Sequence, residues 1–137
     1  MPGVKSVILA DANVLLSAVA GRAAARVLSS TLESHTTEHT WDEVRECLPV
    51  FQERYHITIE EMDEAIQKAP IHIHPREDYA DKLAEAIALV GERDPEDVDV
   101  AALALKLNAP LWSHDNIFKD FLLGRCTTAQ LLKLLEG

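Results

Sequence analysis

Three aspartates stand at comparable places along the chain, each where a predicted strand ends or a predicted helix begins. Asp11 follows the first predicted strand, Asp97 lies in the first turn of an apolar helix, and Asp115 follows the last predicted strand. Ligands of open α/β sheets bind outside the carboxyl ends of the strands. We therefore expect Asp11 and Asp115 to converge there, joined by Asp97 if its helix begins at that edge. Crowded carboxylates repel one another unless a hard divalent cation binds them, so the pattern predicts a Mg²⁺ or Mn²⁺ site.

A fourth carboxylate is expected from an earlier predicted helix, which carries Asp42, Glu43 and Glu46. Since successive helical residues are rotated by about 100°, Glu43 lies beside Val44 at the border of the apolar face. Asp42 and Glu46 then point mainly to solvent. We select Glu43 as the acid that can face a buried site.

Asp97 has a close neighbour in Asp99. The two are separated by a rotation of about 200° on a helix, so they cannot both reach one metal. We select Asp97 because Ala101 and Ala104 leave room on its face. For Asp99, a helix end, a dimer contact and support of the metal site are the alternatives that the sequence leaves open.

The elements that must position these acids are predicted from hydrophobic periodicity and from turn residues. Strands are predicted at Val4–Ala10, His35–Glu38, Ile71–Pro75 and Pro110–Trp112, and a loop at 13–19. Helices are predicted over 21–28, from Thr40 to about Tyr55, over Glu60–Lys68 behind a capping box at Thr58 and Glu61, over Tyr79–Val90, from an Asp94 cap to about Leu107, over Asn116–Leu123 and over Thr128–Leu135. Strands that alternate with helices imply a parallel sheet covered on both faces. We expect a three-layer α/β/α sandwich with a central, mainly parallel sheet, forming one domain over residues 1–137.

Composition limits the function classes. The chain has 137 residues, with 13 Lys and Arg against 23 Asp and Glu and a net charge of −10. Proteins that bind nucleic-acid duplexes through phosphate contacts are typically basic. Aromatic residues make up 5% of the chain, too few for a sheet that stacks RNA bases.

The cysteines and the apolar segments indicate a cytoplasmic protein. Cys47 and Cys126 lie outside any Cys-x-x-Cys or Cys/His metal spacing, which favours reduced thiols. Asp11 interrupts the N-terminal apolar run too early for a signal peptide. No stretch reaches the roughly 20 apolar residues that cross a bilayer, so no membrane association is expected.

Four segments in this order resemble the PIN domain superfamily, which includes the VapC-type toxin ribonucleases. They are Asp11-Ala-Asn13-Val-Leu-Leu-Ser, Glu43 on an early helix, Asp97-Val-Asp-Val-Ala-Ala-Leu-Ala-Leu ahead of Ala109-Pro-Leu-Trp, and Ser113-His-Asp115-Asn-Ile-Phe118. The resemblance covers nearly the whole chain. It implies that Asp11, Glu43, Asp97 and Asp115 bind Mg²⁺ or Mn²⁺ for the hydrolysis of single-stranded RNA. It further implies that Asn13 and Ser113 are supporting polar groups and that the chain forms a homodimer.

The resemblance also bears on partners. A toxin role would imply an antitoxin protein, although the segment Arg93-Asp94-Pro-Glu-Asp97 is richer in acid than the form common in toxins, so nuclease chemistry is better supported than a toxin role. Ser113 stands where the family often has threonine, a change that keeps the hydroxyl. Arg22 and Arg26, spaced i, i+4, are candidates for contacts to RNA phosphates.

Simpler interpretations exist for the candidate residues. Glu43, Asp97 and Asp115 each fit a helix cap or a first-turn acid, and a solvated helix face is the commoner use of two arginines. His72 and His74 share a strand face, but no carboxylate or cysteine accompanies them in the sequence, which favours a surface or edge position over metal binding. These interpretations remain open at the level of the sequence.

Two other functions compete with a ribonuclease. One is a Mg²⁺-dependent phosphotransfer protein of the haloacid dehalogenase or receiver type. The first type wants a second aspartate two positions after the first, where this chain has Asn13. The receiver type wants a phosphoacceptor on a middle strand and a late lysine, and neither Ile71–Pro75 nor Lys119 is a convincing match. A non-catalytic interaction module would keep the fold without the activity, and the presence of four acids argues against it.

Overall fold

A five-stranded parallel sheet forms the centre of the computed structural model, which describes residues 6–19, 23–28, 30–58, 60–61, 64, 68, 71–91, 97–114 and 124–136. The strands are β1 (Val7–Ala10), β2 (Glu33–Thr37), β3 (Ile71–His74), β4 (Leu111–Trp112) and β5 (Arg125–Cys126). Their spatial order is β3-β2-β1-β4-β5, and every neighbouring pair is parallel. The first strand therefore lies in the middle of the sheet and β3 at one edge.

Helices cover both faces of this sheet. They are α1 (Ala12–Val19), α2 (Ala23–Leu28), α3 (Glu38–Tyr55), α4 (Leu83–Ala86), α5 (Val98–Leu107) and α6 (Thr128–Glu136). Side chains of a strand alternate between faces. Ile8, Ala10 and Trp112 accordingly pack in one buried cluster with α1, α2, α3 and α6, whereas Leu9 and Leu111 pack in a second cluster with α4 and α5. The predicted three-layer α/β/α architecture with a parallel sheet is confirmed.

Several predicted boundaries differ from the structure. The predicted loop over 13–19 is helix α1, because Asp11 caps its first turn through the backbone N–H of Val14. The second strand covers Glu33–Thr37 rather than 35–38, and α3 begins at Glu38 because Thr37, not Thr40, is the N-cap that accepts the Thr40 N–H. Strand β5 was not predicted, since two residues are too few to show an alternating pattern.

The predicted helix over Tyr79–Val90 is broken into shorter pieces. Two 3₁₀ turns, Arg76–Asp78 and Ala80–Lys82, flank Tyr79, whose φ of −131° leaves the helical region. Helix α4 and a π-helical turn at Ile87–Gly91 follow. The side chain of Tyr79 is fully buried, so tertiary packing at this residue overrides the helical pattern.

Other predicted elements are present or fall outside the described residues. Thr58 Oγ1 accepts the Glu61 N–H at 3.1 Å, as the capping box predicts, and residues 60, 61, 64 and 68 are helical. Asn108 ends α5 in the left-handed conformation with φ 54°. The Asp94 cap and the predicted helix Asn116–Leu123 lie outside the described residues.

Candidate carboxylate site at the sheet edge

Asp11 lies directly after the central strand β1 and is 5% exposed. Its Oδ1 accepts the backbone N–H of Val14 at 3.1 Å, which makes Asp11 the N-cap of α1. Its Oδ2 accepts the hydroxyl of Ser113, which follows β4 and is fully buried. The Asp11 N–H in turn donates to the carbonyl of Trp112 at 3.3 Å. These contacts fix the carboxylate between the carboxyl ends of two neighbouring strands.

The hydrogen bonds of Asp11 are compatible with a bound cation. An ionised carboxylate offers about four lone-pair sites, so accepting the Val14 N–H and the Ser113 hydroxyl does not by itself prevent metal binding. A cap and a hydroxyl that orient the group also reduce the conformational freedom that metal binding would otherwise remove. Asp11 therefore has a structural role in the fold and a geometry suited to ligation.

Glu43 lies in the second turn of α3, which begins at the carboxyl end of β2. Its side chain is 29% exposed, and its Oε1 lies 3.3 Å from Nε2 of His39, one turn earlier. Asp42 and Glu46 are exposed and Val44 is fully buried, as the helical rotation predicts. The simpler interpretation of Glu43 as a helix cap or first-turn acid is wrong, because α3 begins at Glu38 with Thr37 as its N-cap and Glu43 lies inside the helix.

Asp97 is the N-cap residue of α5 and is half-buried. Its side chain makes no capping hydrogen bond, with φ −90° and ψ −2°. Helix α5 ends at Leu107, shortly before the amino end of β4, so α5 runs antiparallel to the strands. The start of α5, with Asp97, therefore lies at the carboxyl ends of the strands, where β1 also ends.

Asp99 is engaged by a different set of residues. It is 5% exposed, its Oδ2 accepts the Tyr79 hydroxyl at 2.5 Å, and Arg76 Nε lies 3.6 Å away. Burial and the hydrogen bond to Asp99 raise the pKa of Tyr79, while Thr37 and Arg76 oppose that effect. Asp99 thus joins the start of α5 to the segment around Tyr79.

The remaining candidate residues are distributed as follows. Asn13 is exposed in the first turn of α1, and Arg26 is exposed on α2. Asp115 and Arg22 lie outside the described residues. Among the described candidates, the structure brings Asp11 and Ser113 into direct contact and places the helices of Glu43 and Asp97 so that both begin at the same edge of the sheet.

A second group of ionisable side chains lies on β2 and β3 and was not predicted as a set. Ligand atoms of Glu33, His35 and His72 all lie within 4.8 Å of one another. Burial lowers the pKa of His35, and the neighbouring His72 and His74 lower it further, whereas Glu33 raises it. His72 and His74 do lie on an edge strand, as expected, but a carboxylate accompanies them in space. The two-residue spacing in Glu33-x-His35 and His72-x-His74 was the available signal.

The chain also matches a known protein family. The sequence model of a family described as PIN domain matches residues 9–134, a range that includes all four predicted acids. No curated protein matches the chain. Among the helices that the structure describes, none combines the length and apolar character needed to cross a membrane.

Proposed function

Because the chain belongs to the PIN domain family, whose members are generally nucleases, we propose that it is a metal-dependent ribonuclease that hydrolyses phosphodiester bonds of single-stranded RNA. The observation that carries the proposal is Asp11, a buried acid oriented by Ser113 and Val14 at the end of the central strand. A fold that needed only a helix cap there would be served equally well by a neutral asparagine or serine.

The donor set fits Mg²⁺ or Mn²⁺. Asp11, Glu43, Asp97 and Asp115 offer only oxygen, which hard divalent cations prefer, and the Ser113 hydroxyl already orients one of them, Asp11. When bound, such an ion polarises a phosphoryl oxygen and lowers the pKa of a bound water.

The residues of the chain would bind the ion and orient the carboxylates around it. Asp11 is fixed by the cap and by the Ser113 hydroxyl, so it presents its carboxylate in one orientation. Glu43 lies on α3, Asp97 lies at the start of α5, and Asp11 follows β1. Ligands on separate elements can approach one ion from different directions. In a chain of net charge −10, cations at this site are needed to offset repulsion of the RNA phosphates.

The test is cleavage of a mixed-sequence single-stranded RNA by purified protein, with Mn²⁺ or with EDTA. Asp11→Asn removes the charge but keeps an acceptor oxygen and a good N-cap residue, so the fold is retained. Asp42→Asn, next to Glu43 and exposed, is the matched control. If Asp11→Asn removes about 3 kcal/mol of the several that a metal supplies, cleavage slows about 100-fold, and Asp42→Asn cleaves like the wild type.

Other outcomes have definite meanings. Cleavage that survives both EDTA and Asp11→Asn would refute the proposed site. No cleavage and no response of the melting temperature to Mn²⁺ would favour the non-catalytic interaction module. The proposal also includes a homodimer. A toxin role would add an antitoxin protein as partner.

A further inference from the structure

We propose that Glu33, His35 and His72 form a binding site for a first-row transition-metal ion of the Zn²⁺ type, separate from the carboxylate site. Their ligand atoms lie within 4.8 Å of one another. Glu33 pairs with Val7 and His35 with Leu9 on β1, four and two residues before Asp11, so they lie about 13 Å and about 7 Å from Asp11 along the strand direction. The two sites therefore use different residues, and this group lies on β2 and β3 rather than after β1 and β4.

The sheet register brings the three ligands together. Glu33 and His35 are two residues apart on β2, so they share a face, and His35 is the direct partner of His72 on β3. The two imidazole rings are stacked, with centroids 4.5 Å apart and planes at 17°. A metal bound here would join β2 to the edge strand β3, at a place where the backbone already fixes the spacing.

The distances suit a small tetrahedral ion. Glu33 Oε1 lies 2.7 Å from Nε2 of His35 and 3.8 Å from Nε2 of His72. Metal–ligand bonds of about 2.0–2.2 Å in tetrahedral geometry place ligand atoms about 3.3–3.6 Å apart. The two observed spacings lie on either side of that range, and the stacked rings of His35 and His72 must turn out of their nearly parallel arrangement for both to face one ion.

The hydrogen bonds around the site need one more proton than two neutral imidazoles carry, or a cation in place of that proton. Three close contacts run in a line: Glu33 Oε1 to His35 Nε2 at 2.7 Å, His35 Nδ1 to His74 Nε2 at 2.7 Å, and His74 Nδ1 to Asp78 Oδ2 at 2.8 Å. Ionised carboxylates only accept, and a neutral imidazole carries one N–H. Three contacts between two carboxylates and two neutral imidazoles therefore have one hydrogen too few.

A metal ion bound at the Glu33 end takes the place of the missing proton. With His35 Nε2 on the metal, its Nδ1–H donates to His74, and the His74 Nδ1–H donates to Asp78. Metal-bound histidines generally donate their second N–H in this way, and such partners fix the ring and raise its basicity. His74 and Asp78 are thus positioning residues for the ligand His35. The competing occupant is a proton, and the experiment must separate the two.

The donor types select the class of metal. Imidazole suits Zn²⁺, Cu²⁺ and Ni²⁺, whereas Mg²⁺ and Ca²⁺ prefer oxygen alone. Two histidines and one carboxylate leave a fourth position for water. The His72 side chain is 59% exposed, so an ion has a direct path from solvent.

The experiment is a calorimetric titration of the full, untagged chain with Zn²⁺ in excess Mg²⁺, which keeps Zn²⁺ from the carboxylate site. We expect one Zn²⁺ per chain. His72→Gln removes an exposed ligand and weakens binding more than tenfold, and Asp78→Asn, at the far end of the hydrogen-bonded line, weakens it about tenfold. His56→Asn is the matched control, because it removes an exposed histidine outside the group and asparagine tolerates the left-handed backbone of residue 56.

Two further measurements complete the test. Visible d–d absorption of bound Co²⁺ reports the coordination geometry, and it should be lost in His72→Gln and kept in Asp11→Asn. Melting curves without metal confirm that each variant folds. Equal Zn²⁺ affinity in His72→Gln and the wild type, or no Zn²⁺ binding by a folded wild type, would overturn the proposal in favour of a proton. Loss of binding in Asp11→Asn would overturn the separation of the two sites.

Discussion

The two roles of Asp11 can be separated by comparing Asp11→Ala with Asp11→Asn. Alanine removes the N-cap of α1, which costs about 1 kcal/mol. It also leaves the fully buried Ser113 hydroxyl without its charged acceptor, and hydrogen bonds to charged groups contribute about 1.5–3 kcal/mol. Because the two losses share one side chain and are not strictly additive, we expect Asp11→Ala to lower the unfolding free energy by about 3 kcal/mol.

Asparagine keeps one acceptor oxygen and is as good an N-cap as aspartate. We expect Asp11→Asn to lower the unfolding free energy by about 1 kcal/mol or less, because it weakens the bond from Ser113 without removing it. Urea denaturation followed by circular dichroism measures both values. With a slope of about 2 kcal/mol per M, Asp11→Ala lowers the midpoint by about 1.5 M and Asp11→Asn by about 0.5 M or less.

Adding Mn²⁺ tests the second role. An ion at 100 times its dissociation constant stabilises the wild type by about 2.7 kcal/mol, and both variants should lose most of that gain. Asp42→Ala, an exposed change on α3, should stay within about 0.5 kcal/mol of the wild type with and without the ion. Equal stability of Asp11→Ala and Asp11→Asn would refute the structural role, and a full Mn²⁺ gain in Asp11→Asn would refute the ligand role.

Further substitutions test the contacts of Asp99 and the proline inside α3. Tyr79→Phe leaves the buried Asp99 without its hydroxyl donor and should lower the unfolding free energy by about 2 kcal/mol, whereas Arg76→Ala, whose side chain is 68% exposed, should cost about 0.5 kcal/mol or less. Because burial and Asp99 raise the pKa of Tyr79, the unfolded state loses this proton first. The stability of the wild type should therefore fall above about pH 10, and more steeply than that of Tyr79→Phe, in pH-dependent urea denaturation. Pro49 lies inside α3 and is exposed, so Pro49→Ala should raise the melting temperature by restoring a helical hydrogen bond worth about 1–3 kcal/mol; an unchanged melting temperature would show that the helix is already bent to fit the proline.

Part of the sheet was predictable, because β1 is a short apolar run and β3 alternates apolar and polar residues. Val7–Ala10 and Ile71–His74 were both anticipated within a few residues. What the sequence could not supply were elements created by tertiary contacts. Helix α1 depends on the cap from Asp11, and β5 has two residues whose strand character comes from pairing with β4.

The candidate site was predictable in part for the same reason. Asp11 and Ser113 each follow a strand, and parallel strands end at one edge, so their contact follows from the topology. The group on β2 and β3 was not predictable, because the register that pairs His35 with His72 brings together residues 37 positions apart. Periodicity shows which face a histidine occupies, but it does not show which strand lies beside it.

Asp99 illustrates how one acid can organise the site without belonging to it. Its carboxylate accepts the Tyr79 hydroxyl, and Thr37, the residue that caps α3, lies near enough to Tyr79 to lower the pKa of that hydroxyl. Asp99, Tyr79 and Thr37 thus form a buried group between the start of α5, where Asp97 lies, and the start of α3, the helix of Glu43. Because the Tyr79–Asp99 hydrogen bond is buried, water competes poorly for its two partners. The starts of the two helices are thereby fixed relative to each other, and four acids on separate elements can meet only if those starts do not drift.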